Sequence, residues 1–140
     1  MAASAAIQAV YEIGDVNSLP LAAATTIYQG SAVGQISGTD TYRPLEPADK
    51  FAGFAIDTFV KSTDVTKVQV KTEGMIVLTI DTLDDTAALG ATVYAIDDNT
   101  FTLAADDGVV TVTYSAVGKI HRLIGPGYTQ AVVTFNANRI

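Results

Sequence analysis

After residue 24, no segment long enough for a helix keeps a helical spacing of apolar residues. Short apolar stretches instead alternate with clusters of Gly, Pro and Asp, the grammar of strands joined by tight turns. Lys67–Lys71 is the clearest case. Val68 and Val70 point one way and Lys67, Gln69 and Lys71 the other, as a strand with one buried face requires. Ala131, Val133 and Phe135 alternate in the same manner with Val132, Thr134 and Asn136.

Other strands follow from β-branched and aromatic content. They are Thr25–Tyr28, Phe51–Phe59, Met75–Ile80, Thr92–Ile96, Phe101–Leu103, Val109–Tyr114 and Lys119–Ile124. Gly53 inside an apolar run predicts a bulge or a close backbone approach. Tyr42–Pro47, with two prolines, suits an edge or a loop. Glu73-Gly74, Asp107-Gly108 and Gly125-Pro126-Gly127 read as turns, and Met75–Ile80 as a buried strand. The expected fold is all-β: a small β-barrel or β-sandwich-like domain of about nine short strands. It spans residues 25–140. Residues 1–24, Ala-rich and broken by Gly14, Asp15 and Pro20, form an extended N-terminal arm or edge strand.

Charge is unevenly placed. The net charge is −7, and charged residues make up 16% of the chain. Between Thr72 and Gly118 stand eight acids (Glu73, Asp81, Asp84, Asp85, Asp97, Asp98, Asp106, Asp107) and no Lys or Arg. The remainder is nearly neutral. The balance argues against broad attraction to nucleic acid or an anionic membrane. No apolar run approaches the ~20 residues of a membrane-spanning helix. The first ten residues lack the basic start and apolar stretch of a signal peptide, which points to synthesis in the cytoplasm.

The chemistry of catalysis is thinly represented. Cysteine is absent, which removes disulfides and thiolate metal sites. His121 is the single histidine and sits in a strand pattern with no nucleophile signature near it. The pairs Asp84-Asp85, Asp97-Asp98 and Asp106-Asp107 lie between apolar segments. There Asp bonds its own backbone in turns, and the spacing is not that of a calcium loop. Gly125-Pro126-Gly127 lacks the Lys and hydroxyl residue of a phosphate loop. The six tyrosines are not interleaved with basic residues as a nucleic-acid platform requires. No catalytic, cofactor-binding or metal-ligating residue is assigned. Within the arm, Ile7, Val10, Tyr11 and Ile13 are the candidate partner-binding residues, because apolar side chains on a terminal segment need something to cover them.

Several stretches resemble the capsid decoration (cement) proteins of tailed phages. They are Ile27–Gly34 (IYQGSAVG), Tyr42–Ala55 (YRPLEPADKFAGFA), Val68–Leu78 (VQVKTEGMIVL), Leu89–Asp98 (LGATVYAIDD) with Thr100–Leu103 (TFTL), Val117–Ile120 (VGKI) and Gln130–Phe135 (QAVVTF). Each is hairpin grammar; the resemblance lies in their order and spacing over residues 25–136. It implies a β-rich fold, no catalysis, and a place on the outer capsid surface of the virion. The implied partners are the major capsid protein and further copies of the chain meeting at local symmetry axes; a trimer would match a shell's threefold positions, although the sequence does not fix the number. The Ala-rich start departs from the family's pattern. Two other readings compete: a carbohydrate- or receptor-binding β module on a virion, and a small glycosidase using two carboxylates. The first would show clustered exposed aromatics, and the second two acids converging in a cleft.

Overall fold

A computed structural model describes residues 15–81, 83, 86–87, 89–109, 112–125 and 127–137. The described residues are all-β. Twelve strands run in chain order: β1 Val16–Pro20, β2 Thr26–Ile27, β3 Ala32–Gln35, β4 Tyr42–Pro44, β5 Lys50–Ala55, β6 Phe59–Val60, β7 Lys67–Lys71, β8 Glu73–Asp81, β9 Thr92–Ala95, β10 Phe101–Thr102, β11 Ser115–Ile124 and β12 Gln130–Asn136.

They form two main bodies. An antiparallel five-stranded sheet has the order β1-β7-β5-β3-β4, and a closed barrel has the order β10-β8-β12-β11-β9. In the barrel β10 pairs parallel to β8 and antiparallel to β9. A small ribbon, β2-β6, lies apart from both ladders. The expected barrel is present, with more and shorter strands than the apolar runs suggested. Val16–Pro20 is the edge strand of the sheet, paired with β7 from Val16↔Lys71 to Pro20↔Lys67. The folded unit therefore takes in residues ahead of Thr25.

Two apolar clusters explain why the sheet is covered on both faces. Val68 and Val70 of β7 join Leu19, Leu21, Ile27, Val33 and Ala55 in one. Phe51 and Phe54 turn the other way, into the larger cluster with Leu78, Ile80, Val93, Val117, Val133 and Phe135 of the barrel. Residues three apart in a strand normally face opposite sides. The bulge in β5 removes the conflict: Gly53 opposes Val33 and Phe51 opposes Gly34, leaving Ala52 as an extra residue. Gly53 takes φ +133°, and a Cβ there would lie 2.5 Å from the Lys71 carbonyl oxygen. The bulge and the close approach that its lone glycine predicted are both real. The aligned phenylalanines then join sheet to barrel, with ring centroids 4.8 Å apart for Phe54–Phe135 and 5.1 Å for Phe51–Phe54.

Three local expectations are corrected. Glu73-Gly74 is not a turn but the start of β8. Gly74, at φ +146°, bends the backbone without reversing it, so only Thr72 separates β7 from β8. Met75–Ile80 is a strand but not a buried one. Ile76, Leu78 and Ile80 face inward, whereas Met75 and Val77 are exposed on the barrel's outside. Among its described residues, Val109–Tyr114 is a loop closed by the Asp106↔Thr113 bridge rather than a strand.

Candidate interaction surface

Among the described residues, the groups that could carry chemistry are held apart. His121 is exposed on the outer side of β11, where it is the extra residue of a bulge between Ile120↔Val133 and Arg122↔Val132. Asp97 acts on its own turn: its Oδ1 accepts from the N–H groups of Asn99 at 3.0 Å and Thr100 at 2.8 Å. Asp106 and Asp107 do the same for Gly108 and Val109. Asp84 and Asp85 lie outside the described residues. Asp98 differs from the other turn acids. Its carbonyl accepts from Ala32 N–H at 2.8 Å, and its carboxylate accepts from the hydroxyl of buried Ser31. Partial burial, then the neighbouring charge of Asp97, hold its carboxyl above the usual carboxylate range.

Asp49 is a buried acid that its position in the sequence does not betray. It lies in the β4–β5 connection, and both its oxygens are taken by Arg43 at 2.9 Å. The backbone N–H of Glu46 donates to Oδ2 at 3.1 Å, and the Ser115 hydroxyl donates to the Asp49 carbonyl. This group is satisfied and ties the β4–β5 connection to the barrel; it is not poised to act on a ligand. Of the open grooves along β3–β5, at Ser115 and beside β8, none is lined by more than one described carboxylate. Among the described residues, no three His, Asp or Glu side chains gather as metal ligands would. No described helix is long and apolar enough to cross a membrane.

What the fold does build is an apolar outer strip. Odd-numbered residues of β7 and β8 all face solvent, and along β8 the row turns apolar at Met75 (62% exposed) and Val77 (52%). Beside them runs a groove lined by Gln29, Gly30, Ala55, Ile56, Lys71 and Ile76. Ile56 is 40% exposed, and Tyr28, next to Gln29, is 63% exposed. Exposed apolar groups gathered along one groove make this the candidate interaction surface among the described residues. A signal for this strip was present in the sequence. In β8 the polar residues Thr79 and Asp81 share parity with Met75 and Val77, which marks the odd face as the solvent face.

Ile7, Val10, Tyr11 and Ile13 lie outside the described residues. The chain enters the described structure at Asp15, whose carboxylate bonds Lys71 Nζ at 2.9 Å and whose carbonyl accepts from Thr72 N–H at 2.8 Å. Lys71 beside it holds the Asp15 carboxyl below the usual range. Lys71 also lines the groove, so its ion pair with Asp15, the first described residue, lies beside the apolar strip. No protein-family model, no curated protein and no solved structure matches this chain.

Proposed function

We propose that this protein is a virion structural component that decorates and cements the outer surface of a tailed-phage capsid, assembling as a symmetric oligomer on the major capsid protein. The observation that carries the reading is the pairing of a closed β body, whose described reactive groups are scattered or already satisfied, with an exposed apolar strip beside Asp15, the first described residue. The order of the strand-and-turn stretches resembling decoration proteins agrees with it.

Energetics suit the role. A chain of 14.6 kDa offers any one neighbour modest area, near the ~800 Å² per partner of a standard interface. Contacts to several shell subunits at once raise the effective affinity without a stronger single contact. Binding only the mature lattice stabilises that lattice by mass action. A cyclic arrangement closes the assembly, and a trimer fits threefold positions. The Asp97 and Asp106-Asp107 turns, with their carboxylates on their own backbone, face solvent in this arrangement.

The test is to mix purified protein with empty mature capsids and image them. Copies in a regular lattice with the Asp turns outward are the expected result; no binding at any salt concentration would sink the proposal. The exposed Tyr28 beside an open groove is the feature that favours the carbohydrate- or receptor-binding reading. Specific glycan binding on an array, without capsid binding, would replace the first reading by that one.

A further inference from the structure

β8 bonds β12 through its even-numbered residues. The ladder is bracketed by Thr72, whose carbonyl accepts from Ala137 N–H at 2.7 Å, and by Ile80, whose N–H donates to the Thr129 carbonyl at 2.9 Å. Backbone polar groups in an antiparallel ladder alternate between the two sides. Met75 and Val77 therefore aim their N–H and C=O groups away from β12. On that side β10 meets β8 only at Ile80 and Asp81. Along Met75–Val77 the edge thus has no ladder among the described residues, and the apolar groove lies beside it. Proteins usually blunt an open edge with charge, proline or a covering loop. Here Met75 and Val77 are exposed between the charges of Glu73 and Asp81, with no charge or proline on the stretch between them.

A second observation indicates what covers it. β1 and β12 approach Thr72 from opposite directions along the same side of the β7–β8 ribbon. Thr72 N–H donates to Asp15, and Thr72 C=O accepts from Ala137. The place beside β8 into which residues ahead of Asp15 would continue is held by β12. To reach the open edge within one chain, a segment ahead of Asp15 would have to leave the sheet and pass over the outer face of β8 from one edge to the other. The same segment from another copy needs no crossing. Fourteen residues can extend roughly 46 Å at about 3.3 Å each, enough to reach a neighbour. In an extended strand Ile7, Ala9, Tyr11 and Ile13 would share one side, an apolar row to set against an apolar groove.

We propose that the open edge of β8 at Met75–Val77 receives residues 7–13 of a second copy of this chain as an added strand. The proposal rests on the oligomeric reading above and supplies the segment and the surface that make the oligomer. Each copy gives one segment and accepts one, a head-to-tail contact that forms a ring where the rotation between copies closes.

The chain has no cysteine, so engineered thiols report without interference. Full-length Tyr11→Cys and Met75→Cys, carrying different tags, are mixed without capsids and treated with a short bis-maleimide. A cross-linked product bearing both tags is expected. No product, or a cross-link that forms only within a chain carrying both cysteines, would overturn the proposal. Val77→Pro removes one edge N–H and leaves the β12 ladder intact. Val77→Lys places a guarding charge on the same edge. Whichever variant keeps the parent β circular dichroism spectrum should self-associate roughly tenfold or more weakly in sedimentation. Unchanged association by a folded variant would refute the seat. Capsid binding is scored separately. Cross-linked copies that fail to decorate capsids would uphold the strand seat and sink the cement reading. Decoration by copies that never cross-link would do the reverse.

Discussion

Arg43 closes both Nε and Nη2 on the carboxylate of Asp49, each at 2.9 Å, in a parallel two-bond grip around a side chain only 4% exposed. The grip matters because Asp49 also presents its carbonyl to Ser115 of the barrel, so the ion pair fixes one contact between the sheet's β4–β5 connection and the barrel. Arg43 itself is partly open to water, and Glu46 pairs with its Nη1 at 2.9 Å.

Removing the guanidinium leaves a buried carboxylate with only the Glu46 backbone N–H donating to it among the described contacts. Breaking a fully buried pair costs about 3–5 kcal/mol, and the partly exposed arginine lowers that to about 2–4 kcal/mol for Arg43→Ala. The measurement is urea unfolding of the variant against the parent. A loss below the scatter of the two curves would mean that Asp49 finds water or another donor.

Gly53→Ala tests the bulge. The substitution forces a side chain into φ +133° and a Cβ to within 2.5 Å of the Lys71 carbonyl oxygen. The expected cost is about 2–4 kcal/mol, because strain and clash act together. Since the bulge sets Phe51 and Phe54 on one side, near-ultraviolet circular dichroism should also weaken. An unchanged spectrum and midpoint would show that β5 can repack without its extra residue.

Asp98 sets a pH dependence. Its carboxyl is raised in the folded state by burial and by Asp97, so the folded chain holds that proton more tightly than the unfolded one. Stability from this group is thus greatest below the ordinary value of 3.8 and falls as pH rises through the folded value, above which the full penalty remains. Asp98→Asn should therefore be more stable than the parent at neutral pH, with the difference vanishing below pH 3.8. A variant less stable at neutral pH would show that the Ser31 contact outweighs desolvation.

Metal removal should change nothing. The described carboxylates work in separate turns or, at Asp49, in an ion pair, and chelator treatment should leave the melting temperature where it was. A large fall with EDTA would reveal a calcium site that includes acids beyond these.

Much of the architecture was legible because it depends on neighbours in sequence. The alternation in Lys67–Lys71 and in Ala131–Phe135 determined which side chains enter the core, since side-chain direction in a strand has a period of two whatever the partner. The lone Gly53 in an apolar run announced a bulge, and the pairs Asp97-Asp98 and Asp106-Asp107 announced turns, because backbone preference is a local property. What only the tertiary structure decided depends on residues far apart in the chain. Asp49 is buried because Arg43 and Ser115 reach it, and no pattern around it carries that information. The backbone of Met75 and Val77 has no ladder on one side among the described residues because β12 takes one edge of β8 and β10 meets the other only at Ile80 and Asp81, a pairing that hydrophobicity cannot rank. Glu73-Gly74 continues a strand rather than turning it because Thr72 is bonded in both directions, to Asp15 and to Ala137. Hydrogen-bond partners in a sheet are chosen among all strands at once, so the open edge appears only when every other strand has been placed.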